Sequence, residues 1–164
     1  MQCRPIGQEG PKDSTQLRAV EPLPELPPTI EVGGLELRPI AFEWPQAGEW
    51  VSREPDLRTM AELPEVERSD KSSVTMEFGP SPSPGSIEVF TYAAEASAVP
   101  SQLDANQDSN LECEADSSDR EAPPRKFSID VSAGPHIIVI QALYATELPG
   151  PNLPAASWSV RVSG

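Results

Sequence analysis

Twenty prolines in 164 residues confine this chain to short extended elements. A proline inside a helix removes a hydrogen-bond donor and clashes with the preceding turn, so few stretches of this sequence can sustain a long helix. The first 28 residues hold six of the prolines and show no hydrophobic period. In Glu21-Pro22-Leu23-Pro24-Glu25-Leu26-Pro27-Pro28 each proline fixes its own φ and restricts its predecessor, which favours polyproline II. Residues 1–28 therefore read as a proline-rich tether, extended or disordered, with Val20, Leu23 and Leu26 as its apolar contacts to whatever follows.

Beyond the tether the pattern changes to alternation. Thr29-Ile30-Glu31-Val32, Gly33-Gly34 and Leu35-Glu36-Leu37 have the form of a β-hairpin, with two arms around a pair of glycines that tolerate positive φ. The second arm runs on through Pro39 to Ala41-Phe42-Glu43-Trp44, and Pro39 marks an edge or a bulge. Apolar residues alternate with polar ones at Val74, Met76 and Phe78, at Ile87 and Val89 extending to Tyr92, at Phe127, Ile129 and Val131, and at Ala156, Trp158, Val160 and Val162. The run from Ile137 to Tyr144 is apolar at consecutive positions, which predicts a central strand covered on both faces or over most of its length. One short helix is predicted over 55–64, capped by Asp56, with Leu57, Met60 and Ala61 on one face and Pro64 ending it. About seven short strands separated by turn chemistry predict an all-β antiparallel sandwich over 29–164, with a barrel as the alternative.

Residues 101–125 differ in composition. From Ser101 to Pro124 there are seven acidic residues against Arg120 as the basic one, among serines, asparagines and glutamines. Such a stretch buries too little apolar area to offset its ordering entropy, so it reads as a long, mobile acidic loop insertion. Within it Asp104, Asn106, Asp108, Asn110 and Glu112 place oxygen side chains at alternate positions. Calcium loops of the EF-hand kind space their first ligands in this way. Ser109 stands where such a loop needs glycine, and Ala115 where it needs a carboxylate. The main reading has no cofactor, with calcium as the alternative.

The formal net charge is −14, from 26 acidic and 12 basic residues. That charge repels phosphate backbones and anionic headgroups, which argues against nucleic-acid binding and against electrostatic membrane docking. It suits a monomer that meets a protein or a cell-envelope component. No apolar run approaches the roughly 20 residues that span a bilayer. No basic segment followed by an apolar stretch opens the sequence, so an export signal, if used, is expected to have been cleaved or to lie outside it. Cys3 and Cys113 are open to three readings: a disulfide, a lipid anchor at Cys3, or two free thiols. His136 is the one histidine and is expected at a surface or strand end. Trp44, Trp50 and Trp158 read as packing residues, with Trp50 the most exposed. No nucleophile elbow, C-x-x-C pair or phosphate-cradling loop is present, and no two carboxylates stand out by spacing, so no catalytic set is assigned.

The order of elements resembles a C-terminal domain of secreted and lipid-anchored bacterial proteins, a family of unknown function. The resemblance rests on Pro27-Pro28-Thr29-Ile30-Glu31-Val32-Gly33-Gly34, Phe42-Glu43-Trp44, Gly134-Pro135-His136 through Ala142-Leu143-Tyr144, and Ala156-Ser157-Trp158-Ser159-Val160-Arg161-Val162. It covers about residues 27–164. Glu43 stands where the family often has cysteine, Tyr144 replaces a tryptophan, and the connection from Ala145 to Pro154 is longer. The resemblance implies an immunoglobulin-like sandwich, export and tethering, and no activity. Residues and resemblance together lead to the expectation of a non-catalytic extracytoplasmic structural or interaction module, with a calcium-dependent binding module using residues 104–116 as the alternative.

Overall fold

The computed structural model describes residues 2–5, 23–54, 62–67, 73–79, 84–93, 107–114, 126–131, 134–144 and 153–163, with residues 2–5 and 107–114 described through their backbone. Among these, twelve strands and no helix occur. In chain order they are β1 (Gln2–Pro5), β2 (Ile30–Val32), β3 (Leu35–Leu37), β4 (Ala41–Gln46), β5 (Glu49–Arg53), β6 (Glu65–Glu67), β7 (Ser73–Phe78), β8 (Ser86–Ala93), β9 (Gln107–Glu114), β10 (Lys126–Asp130), β11 (His136–Leu143) and β12 (Ala155–Ser163).

Eight strands form one sheet, ordered β1-β9-β8-β11-β12-β4-β5 with β6 beside β12; the other four form a second sheet, ordered β10-β7-β2-β3. Pairing is antiparallel except between β6 and β12. One apolar core joins the sheets: Ile30, Val32, Val74, Met76 and Phe78 of the smaller sheet meet Val89, Ile138, Ile140, Trp158 and Val160 of the larger one. Two facing sheets around a common core satisfy the all-β sandwich expectation.

The turns explain the hairpins. Gly33 and Gly34 both take positive φ, 60° and 83°, as a two-residue hairpin turn requires. Ala47 and Gly48 do the same at 49° and 82°, folding β5 back onto β4. Gly33 has a second constraint, since a Cβ there would stand 3.1 Å from the Val66 Cβ. The tip of the β2–β3 hairpin thus packs on β6, a strand of the other sheet.

The segments singled out in the sequence take the following places. The tether is not free at its described ends. Gln2–Pro5 pairs with β9, and 23–28 dock on the sandwich. Pro27 is buried and Leu23 packs against the core, whereas Leu26 is exposed; Val20 lies outside the described residues. The Trp44 indole donates to the Pro24 carbonyl at 2.8 Å and the Trp158 indole to the Pro28 carbonyl at 3.1 Å. A proline-rich chain has few internal partners for its carbonyls, and the indoles supply them.

Within the segment expected to be a mobile insertion, 107–114 form β9, because the β8 edge and β1 satisfy its backbone. Of the expected helix, 55–61 lie outside the described residues, while Glu62 is in a turn and Leu63 and Pro64 have no regular structure. His136 does open a strand, but it is buried rather than at the surface, with Nδ1 2.9 Å from the Gly134 carbonyl oxygen. Of the three tryptophans, Trp44 and Trp158 are fully buried and Trp50 is half-buried.

Trp158 packs edge-on to Phe78 of the opposite sheet, with ring centroids 5.7 Å apart. Replacing Trp158 with Ala removes that contact and the Pro28 hydrogen bond together. Urea unfolding should show a loss of about 3–5 kcal/mol.

A candidate binding face on the larger sheet

Strand β11 has two faces with different fates. Ile138, Ile140 and Ala142 point into the core. On the opposite face Ile137 joins a second apolar cluster with Leu63 and Tyr92, against which Ile40, Phe90 and Val139 pack. The chain at Leu63-Pro64 lies over this half of the face, held where the Arg161 N–H donates to the Pro64 carbonyl at 2.8 Å. The cover reaches Val139. Beyond it the outer face carries Gln141 and Leu143, both exposed.

Register rows define what surrounds those two residues. Gln141 stands between Glu88 of β8 and Ser157 of β12, and Ser157 stands opposite Ala41 of β4. Leu143 stands between Ser86 and Ala155, and Ala155 opposite Glu43. These side chains line a shallow groove of about 260 Å³, with Arg53 at its β5 end. Alanine and serine at four of the positions leave the sheet surface low, between the carboxylates of Glu43 and Glu88. Leu143, 39% exposed, and the half-buried Phe42 are its large apolar contacts.

The smaller sheet carries a different outer row. Glu31 lies between Glu36 and Glu77, and Glu77 lies opposite Lys126. Like charges directly opposed in a sheet repel, so this row accounts for part of the acidic character at some cost to stability.

Among the described residues, two buried hydroxyls have no hydrogen-bond partner, Tyr144 OH and Ser159 Oγ. The Tyr144 ring packs edge-on to Trp44 at 5.2 Å, and burial pushes its hydroxyl above the usual tyrosine range because the phenolate would have to form out of water.

The residues singled out in the sequence fall elsewhere. Asp104 and Asn106 lie outside the described residues, and Asp108, Asn110 and Glu112 fall in β9. Alternate residues of a strand lie about 6.8 Å apart along the chain, whereas ligands of one calcium ion all sit about 2.4 Å from it. Within 107–114 the chain therefore has a strand's geometry and not that of a calcium loop. Asn110 pairs with Phe90 and Glu112 with Glu88, next to the groove; Asp108 falls at a register shift opposite Thr91 and Tyr92. Cys3 and Cys113 occupy facing positions of β1 and β9. Among the described residues no group of three or more His, Cys, Asp or Glu is arranged to hold a metal. Glu43, Glu88, Gln141 and Ser157 carry no motif; they were findable only as polar positions in otherwise apolar strands.

Compared with protein-family models and with curated proteins, the chain matches none.

Two measurements follow from these environments. Tyr144→Phe removes a buried hydroxyl that has no partner among the described residues and should raise stability by about 1 kcal/mol at neutral pH. The wild type should also lose stability as pH rises above about 10, where the unfolded chain ionises its tyrosines and folded Tyr144 does not; urea midpoints at pH 7 and 10.5 should show the phenylalanine variant losing less. Glu31→Lys places a cation between Glu36 and Glu77 and should stabilise the fold by about 0.5–1 kcal/mol at low salt, with the gain shrinking at 1 M salt.

Proposed function

We propose that this protein is a non-catalytic extracytoplasmic interaction module, an immunoglobulin-like sandwich that binds an extended, basic segment of a partner protein across the outer groove of its larger sheet. The observation that carries the reading is the half-covered face of β11, apolar and covered at Ile137–Val139, low and open at Gln141–Leu143 among the described residues. The groove crosses β8, β11, β12 and β4, three strand spacings or about 14 Å, which matches about four residues of extended chain. Glu43 and Glu88 line it on either side of the β11–β12 pair, two carboxylates against the single cation Arg53 at its β5 end, and the chain carries a net charge of −14, so basic side chains are the complementary ligand chemistry. The extracytoplasmic setting and the immunoglobulin-like type follow from the resemblance of residues 27–164 to the secreted and lipid-anchored domain family.

A library of displayed extended peptides provides the test. The wild type should enrich sequences rich in Lys and Arg. Peptides so enriched should bind Ser157→Arg and Glu88→Gln at least tenfold more weakly, with both variants folded by circular dichroism. Binding should weaken with added salt. Peptides that bind wild type and Ser157→Arg equally would exclude the groove. A strict requirement for millimolar calcium would favour the calcium-dependent module instead.

A further inference from the structure

Cys3 and Cys113 are the chain's two cysteines and stand far apart in sequence. The β1–β9 ladder brings them face to face, with Gln2 opposite Glu114, Cys3 opposite Cys113, Arg4 opposite Glu112 and Pro5 opposite Leu111. Directly opposed Cα atoms in an antiparallel pair lie about 4.5 or 5.5 Å apart, depending on whether the pair is hydrogen-bonded. Both separations fall within the roughly 4.4–6.8 Å that a disulfide spans. A slip of one residue would break this match, so the placement depends on register.

The neighbouring row points the same way. Cys113 is also in register with Ile87, which is fully buried and belongs to the core. Successive strand residues alternate between faces, so the cysteine row shares the parity of Ile87 and Ala142, whereas Glu112 shares that of Glu88 and Gln141. β1 is also a strand of four residues, Gln-Cys-Arg-Pro, paired among the described residues with β9 alone. It has little apolar area, and Pro5 has no N–H to donate. Backbone pairing by itself gives such a strand little hold.

We propose that Cys3 and Cys113 form an intrachain disulfide that clasps the N-terminal strand to β9. Its formation joins the two sulfurs and removes two protons and two electrons. A disulfide oxidant such as glutathione disulfide accepts them: one cysteine thiolate attacks it to give a mixed disulfide and one released thiol, then the other cysteine displaces the second. The bond closes a loop from residue 3 to residue 113 and constrains the unfolded chain accordingly. It also excludes Cys3 as a lipid-attachment residue, because one sulfur cannot serve both roles.

The experiment uses the full chain equilibrated in an oxidising glutathione buffer, quenched with iodoacetamide and weighed by mass spectrometry. The oxidised chain should take up no alkyl group and be about 2 Da lighter than the reduced chain, the two hydrogens lost in the exchange. Digestion should release one fragment that links Cys3 to Cys113. Reduction in denaturant should then expose two alkylatable thiols, and Cys3→Ser or Cys113→Ser should leave one. Oxidised wild type should melt about 5 °C or more above reduced wild type, with both variants melting at the reduced value in either buffer. Two alkylated thiols on the native chain, a cross-link found only between separate chains, or equal melting of oxidised and reduced protein would each overturn the proposal.

Discussion

Trp158 ties together the three parts on which the rest of the structure depends. It sits midway along β12, fully buried, with Phe78 of the opposite sheet against its ring and the Pro28 carbonyl on its indole N–H. Through that residue a central strand of the larger sheet is fixed to the smaller sheet and to the segment that leads into the first hairpin. Trp44 repeats the device on the neighbouring strand β4, packing on Tyr144 and holding the Pro24 carbonyl. An indole supplies a large apolar area and a single donor, a good match for a proline-rich segment that offers carbonyls and few N–H groups. The tether expected from 1–28 is therefore partly built into the domain.

The same core determines where a binding face can exist. Ile138, Ile140 and Ala142 commit one side of β11 to the interior, so a ligand can meet only the other. There Leu63, Ile137 and Tyr92 close half of the face as a second cluster. What is left is the stretch over Gln141 and Leu143, bordered by residues from strands far apart in sequence. The continuous apolar run of β11 is explained by this division: among the described residues the strand is doubly covered over its first half and singly covered over its second.

The candidate site and the cysteine pair show how register creates chemistry. Glu43, Glu88 and Ser157 form one groove only because β4 and β8 flank the β11–β12 pair, and Cys3 faces Cys113 only because β1 is the outermost strand beside β9. The spacing of Asp104, Asn106, Asp108, Asn110 and Glu112 suggested a single loop. An alternating pattern fits a strand as well as a loop, and for 107–114 the free edge of β8 favoured the strand. The polar composition that argued against order did not take account of backbone pairing, which needs no apolar side chains.

The local pattern determined most of the element inventory. Gly33-Gly34 specified a hairpin because two adjacent positions need positive φ, and the alternation at 73–78, 86–92, 126–131 and 155–162 specified which residues face the core. β5 was missed because Ala47, a residue with a Cβ, takes the left-handed conformation at the turn before it. β1, β6 and β9 were missed because short or polar strands owe their existence to a neighbour's unpaired edge, and a sequence does not display its neighbours. The residues by themselves decided that this chain would be short strands around Trp44, Trp158 and a run of isoleucines. Only the tertiary structure decided which strands adjoin, and therefore which carboxylates, serines and cysteines share a row, because strand order and register come from pairing across the whole chain rather than from local preference.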